Sequence, residues 1–127
     1  MVVMVELRNQ ELLESIPRTT VNRRLQSIQK IMNIALIGYG KMGKEIEQIL
    51  LQRGHSVTLR STRSTPFKAA DLAGTDVAIE FTEPHSAVDN ILKCFEAGVP
   101  VVVGTTGWYM RMPEVREACS SMSGGLF

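Results

Sequence analysis

The stretch NIALIGYGKMGKEIEQILLQRGH, residues 33–55, decides the fold. Its first five residues form an almost continuous apolar run that stops at glycine, the pattern of a strand covered on both faces. From residue 41 to 53, Met42, Ile46, Ile49 and Leu50 recur on one helical stripe, and Gly54 just beyond suits the residue after a helix end. Between strand and helix stands Gly38-Tyr39-Gly40-Lys41-Met42-Gly43, a GxGxxG. Alone the motif is weak; after a strand and opening a helix it is strong. Gly38 permits the tight turn, Gly40 offers no Cβ to obstruct a pyrophosphate, and Gly43 lets helix and strand pack closely. The free N–H groups of the first helical turn would face the phosphates. A methyltransferase usually needs an acidic residue just before such a loop, and Leu36-Ile37 supplies none. The bland alternative is a tight strand-to-helix turn without a ligand.

Outward from this unit the alternation continues. Residues 56–60 read as a second strand, and a polar stretch over 61–68 leads through 69–73 to a third at 76–81. Pro84 suits the first turn of a helix reaching residue 97, closed by Gly98. Residues 100–103 form a fourth strand running into Gly104-Thr105-Thr106-Gly107. Pro113 opens a last helix to about residue 122, and 124–127 begin a fifth strand. The expected architecture is α/β, a Rossmann-type parallel sheet with helices on both faces, truncated at its C-terminal side. Residues 32–127 are then an incomplete dinucleotide-binding domain. The edge beside the fourth strand should expose backbone of Val101–Val103 or leave Leu126 and Phe127 poorly covered.

Composition agrees with one globular domain. The 127 residues are 44% hydrophobic and 21% charged, ordinary values that exclude a disordered tail or a coiled coil. No apolar run approaches the roughly 20 residues that span a bilayer. A net charge of +1 gives no general field for nucleic acid or an acidic membrane. Cys94 and Cys119 have no metal-ligand spacing and read as reduced thiols of a cytoplasmic protein. The texture changes at Met32. Residues 1–31 lack glycine, and Pro17 separates two short apolar sets, Leu12, Leu13 and Ile16, then Val21, Leu25 and Ile28. They are a helical N-terminal arm or an extension of the gene model.

Cofactor choice is read at the end of the second strand. An Asp or Glu about 20 residues after the glycine loop would bind the ribose 2′-hydroxyl of NAD. Here the chain reads Leu59-Arg60-Ser61-Thr62-Arg63-Ser64, with no carboxylate from Ser56 to Ala70. Arg60 and Arg63, with neighbouring hydroxyls, make a cradle for a 2′-phosphate and point to NADPH, with NADH as the lesser option. Two further strand ends, Glu80-Phe81-Thr82-Glu83-Pro84 and Gly104-Thr105-Thr106-Gly107, converge where a nicotinamide would lie. Glu80 and Glu83 are expected to be solvated strand ends, with Glu80 and Thr82 on one side by alternation. His55 and His85 read as surface or capping residues, and Met42, Met112 and Met122 as core fillers. Trp108 and Tyr109 should pack over the GTTG turn or meet a further domain. No catalytic residue and no metal site is assigned to this chain.

These segments together resemble the N-terminal part of the dihydrodipicolinate reductase family, from Met32 to Phe127. The resemblance rests on GYGKMG at 38–43, DVAIEFTEP at 76–84 and PVVVGTTGW at 100–108. It implies that Gly38 to Gly43 hold the pyrophosphate and that Phe81 and Thr82 flank the nicotinamide. Gly104, Thr105 and Thr106 would hold its ribose and carboxamide. Thr62 stands where many relatives carry a ribose-binding acid, a departure from the NAD-favouring pattern. The implied activity is hydride transfer from NAD(P)H to 4-hydroxy-tetrahydrodipicolinate, a small dicarboxylate, in lysine and diaminopimelate synthesis by a homotetramer. The family's histidine-and-lysine motif and second glycine-threonine motif do not occur in this sequence, so a chain ending here would bind cofactor without turnover. Two alternatives stand beside this reading: a free-standing nucleotide-binding or redox-sensing module, and another NADP-dependent oxidoreductase of the same fold.

Overall fold

The computed structural model describes residues 30–127, and the arm expected over 1–31 lies almost wholly outside them. Four parallel strands form one sheet in the order β2-β1-β3-β4, with β1 at Asn33–Ile37, β2 at Ser56–Ser61, β3 at Val77–Glu80 and β4 at Val101–Val103. Among the described residues three α-helices accompany them: α1 at Lys41–Gln52, α2 at Pro84–Glu96 and α3 at Met112–Ser121. Short 3₁₀ turns lie at Ala69–Leu72 and Tyr109–Arg111.

Alternation along the strands explains the layers. Ile34, Leu36, Val77, Ile79 and Val102 point to the α1 face, where they meet Leu50. Ala35, Ile37, Ala78 and Val101 point the other way, against Val88, Ile91, Cys94 and Phe95 of α2 and Val115 of α3. The expected stripe of α1 is only partly used: Leu50 is buried, whereas Met42 and Ile49 are half exposed. Met42 and Met122 therefore do not fill the core as expected. They sit on surfaces that no described element covers deeply enough, while Met112 packs against the core.

Register brings the strand ends together. Ile37 pairs with both Ser61 and Glu80, and Glu80 pairs with Val103. The residues that follow β1, β2, β3 and β4 thus leave the sheet side by side at one edge. The order runs outward from β1 in both directions, so the crevice between the ends of β1 and β3 is the topological switch point.

Over the expected fifth strand the structure shows a single bridge. Leu126 makes an isolated parallel bridge to Val101, and the Val101 and Val103 N–H groups donate to Gly125 and Phe127 at 2.8 Å. The edge backbone is therefore paired, and Leu126 is half-buried against the core, so of the expected exposure only that of Phe127, 39%, is found. Trp108 is buried with its Nε1–H donated to the Thr105 carbonyl at 2.8 Å, fixing the GTTG turn from beneath, whereas Tyr109 is exposed.

Candidate functional site: a cleft at the strand ends

The glycine loop owes its shape to close approaches. Gly38 has φ +98°, and a Cβ there would collide with the Phe81 carbonyl. A Cβ on Gly43 would lie 2.5 Å from the Gly38 carbonyl oxygen, so α1 can start this near β1 only with glycine. Gly40 differs: a Cβ there would meet nothing within 4 Å and would project into open space. It is the N-cap of α1, and no side chain caps that end, leaving the first-turn N–H groups for another acceptor. The Gly38 and Tyr39 N–H groups are already spent on the Ser61 carbonyl, at 3.0 and 2.9 Å.

In front of this loop lies a cleft of about 580 Å³, bounded by Gly38, Tyr39, Gly40, Thr62, Arg63, Phe67, Phe81, Thr82 and Lys93. A second hollow of about 320 Å³ continues past Phe81 between Met42, Thr82, Gly104, Thr105 and Thr106. The Phe81 ring lies where a Cβ on Gly104 would be, so only glycine there admits the ring between the two spaces. Of the expected residues, Gly38, Tyr39, Gly40, Thr62, Arg63, Phe81 and Thr82 line the first space, and Met42, Gly104, Thr105 and Thr106 the second. Lys41 is exposed in the first turn of α1, and Gly43 is buried beneath the loop as spacer.

The two arginines are differently placed. Arg60 leans over the Tyr39 ring, 5.7 Å from its centre, and its Nε donates to Glu47 at 2.6 Å. Glu47 also accepts the Tyr39 hydroxyl. The Arg60 hydrogen bond, then that of Tyr39, holds the Glu47 carboxyl below its usual range. Accepting that hydroxyl, Glu47 raises the Tyr39 phenol. Arg63 lines the cleft and is ion-paired with Glu83 at the start of α2. Thr62 closes a tight turn with Thr65, their N–H and carbonyl groups exchanged at 3.2 Å and their hydroxyls 2.7 Å apart.

Glu80 overturns an expectation. It is not a solvated strand end but fully buried. Its Oε1 accepts the Thr105 hydroxyl, and its Oε2 accepts the Thr82 hydroxyl and the Asn90 amide, the latter at 3.2 Å. The Thr82 N–H donates in turn to Thr105 Oγ1 at 2.8 Å. A buried carboxyl needs such donors; alternation, which puts Glu80 and Thr82 on one side, brings one of them, and the segment after β4 and helix α2 supply the others. Glu83 is the exposed one of the pair, shared between Arg63 and His85. His85 is on the surface as expected, and His55 Nδ1 accepts the Met32 N–H at 3.1 Å.

Residue-type reasoning missed Glu47, Asn90, Phe67 and Lys93. Lys93 Nζ lies 4.8 Å from the Phe67 ring centre and donates to the Phe67 carbonyl at 3.1 Å. Asn90 carried a legible signal, since it interrupts the buried stripe of Ala87, Ile91 and Cys94 on α2. Among the described residues no group of three His, Cys, Asp or Glu side chains could hold a metal ion, and no helix is long and apolar enough to cross a membrane.

Residues 32–125 match the family model described as dihydrodipicolinate reductase, N-terminus. The chain is 42% identical over 88 residues to the 4-hydroxy-tetrahydrodipicolinate reductase of Christiangramia forsetii, a match covering 69% of this chain and 37% of that protein. It is 34% identical over 84 residues to the protein of the same name from Staphylococcus aureus strain Newman, covering 60% of this chain and 34% of the relative. The chain thus spans about a third of the length of these curated relatives. The family match takes in all three segments on which the resemblance rests.

Proposed function

Since the chain belongs to the dihydrodipicolinate reductase family, whose N-terminal domain it carries, we propose that its cleft binds NADPH for reduction of 4-hydroxy-tetrahydrodipicolinate. The observation that carries this reading is the open space at Gly40 before an uncapped helix start. A pyrophosphate fits where a Cβ would intrude, and the first-turn N–H groups of α1 would receive it. The adenosine half lies toward Thr62, Arg63, Phe67 and Lys93. Arg63 is 81% exposed and able to leave Glu83 for a 2′-phosphate, which favours NADPH over NADH.

The nicotinamide half lies past Phe81, in the hollow of Thr82, Gly104, Thr105 and Thr106. When bound, the reduced nicotinamide would supply the hydride. The chain's own contribution is position: Phe81 walls the ring, and Thr82 and Thr105 offer hydroxyls held from behind by Glu80. Dicarboxylate recognition and proton delivery are assigned to no residue of this chain. Free Cys94 and Cys119 fit a cytoplasmic setting.

Titration of the 127-residue chain with NADPH, followed by nicotinamide fluorescence and calorimetry, tests the reading. One saturable site is expected, displaced by ADP-ribose. Absence of binding to either NADPH or NADH would overturn it.

A further inference from the structure

Glu80 lies behind the hollow, away from any contact with solvent, yet three donors from three segments meet on it. Thr82 follows β3, Thr105 follows β4 and Asn90 is on α2. A threonine hydroxyl has one hydrogen and two lone pairs. Both hydroxyls give that hydrogen inward to Glu80, so neither has one left for a ligand. Thr105 Oγ1 uses one lone pair on the Thr82 N–H at 2.8 Å and retains another.

We infer that Glu80 is a positioning residue that turns Thr82 and Thr105 into acceptors at the mouth of the second hollow, selecting a ligand group with N–H donors. This rests on the nicotinamide reading above and deepens it. The neutral carboxamide of nicotinamide has two such N–H donors. A carboxylate in its place has none and would bring its charge against oxygen lone pairs.

Glu80→Gln alters the polarity while keeping the shape. With the glutamine oxygen facing Thr82 and Asn90, its amide nitrogen must donate to Thr105 Oγ1. That atom then accepts from Gln and from the Thr82 N–H, and its own hydrogen turns outward. Thr105 changes from acceptor to donor while Thr82 stays an acceptor, and no side chain is lost.

The experiment measures Kd for NAD, for nicotinic acid adenine dinucleotide, which carries a carboxylate in place of the carboxamide, and for ADP-ribose, which lacks the ring. The unaltered chain should prefer NAD to the acid analogue by at least tenfold. Glu80→Gln should reduce that preference to threefold or less and leave ADP-ribose within twofold. Equal weakening of all three ligands, or an unchanged preference, would overturn the inference. Should Glu80→Gln fail to fold, Thr105→Val and Thr105→Ser carry the test. The valine variant should lose the preference and the serine variant keep it, and any other pattern counts against the proposal. Failure of the unaltered chain to bind NAD or NADPH would instead sink the nicotinamide reading itself.

Discussion

Glu47 on α1 and Arg60 at the end of β2 hold each other across the Tyr39 ring, with Arg60 Nε donating at 2.6 Å. The guanidinium that was expected to serve a 2′-phosphate is thus already engaged. Selectivity for NADPH should then depend on competition between Glu47 and the phosphate. Arg60→Ala should weaken NADPH by about 1 kcal/mol, the low end for an exposed charge-assisted contact, and leave NADH nearly unchanged. Glu47→Gln should act oppositely and tighten NADPH. Parallel calorimetric titrations read both effects. Equal responses of the two nucleotides would remove Arg60 from cofactor selection.

The glycines of the loop separate stability from binding. Gly43→Ala presses a methyl group on the Gly38 carbonyl, an overpacking that costs about 1–3 kcal/mol. Its melting temperature should fall by at least roughly 5 °C for a domain of this size. Gly40→Ala places its methyl group in open space and should leave melting nearly unchanged while abolishing dinucleotide binding. Thermal denaturation with and without NADPH distinguishes them. If Gly40→Ala still gained full thermal stabilisation from NADPH, the pyrophosphate would not lie there.

Much of this arrangement is legible in residue order. The apolar run before GYGKMG, Gly54 and Gly98 after the first two helices and Pro84 at the start of α2 are local signals, and the elements formed where they indicate. The cleft was legible because parallel register brings all strand ends to one edge. Pairing was not. Glu80 reads as polar at a strand end because its donors are distant in sequence: Thr105 lies 25 residues away and Asn90 ten. Arg60 and Arg63 read as free for the same reason, since Glu47 and Glu83 belong to other elements. The exposure of Met42 and Met122 depends on what covers a helix face, which periodicity alone does not supply.

Burial pushes the Cys94 thiol up to about 12 from its ordinary 9.0, with the nearby Glu80 adding to the rise. The folded chain therefore holds this proton more tightly than the unfolded chain. The resulting stability is complete below about pH 9 and is lost as pH climbs toward 12. Urea midpoints measured between pH 8 and 11 should decline, and Cys94→Ala should decline less steeply. A thiol reagent at pH 8 should label half-buried Cys119 well before Cys94, with both reacting in denaturant. Rapid labelling of Cys94 in the native chain would contradict its burial.

The outer edge of β4 is covered by four residues. Val101 N–H donates to the Gly125 carbonyl at 2.8 Å, Phe127 N–H to the Val101 carbonyl at 2.9 Å, and Val103 N–H to the Phe127 carbonyl at 2.8 Å. Gly124 lies against the Phe95 ring so closely that a Cβ would come within 2.6 Å of it. Deleting residues 124–127 removes these three backbone hydrogen bonds and a fourth, from Gly124 N–H to the Cys119 carbonyl, and uncovers a strand of three valines, a template for pairing with another chain. Each lost hydrogen bond is worth about 0.5–1.5 kcal/mol net, a large share of the margin for a domain this small. The shortened chain should melt at least roughly 5 °C lower and sediment as larger species as its concentration rises. Gly124→Val should lower melting through its clash with Phe95 while keeping the edge paired, and so should associate less than the deletion at equal stability. If the deletion associated no more than Gly124→Val, unfolding rather than the bare β4 edge would be the cause.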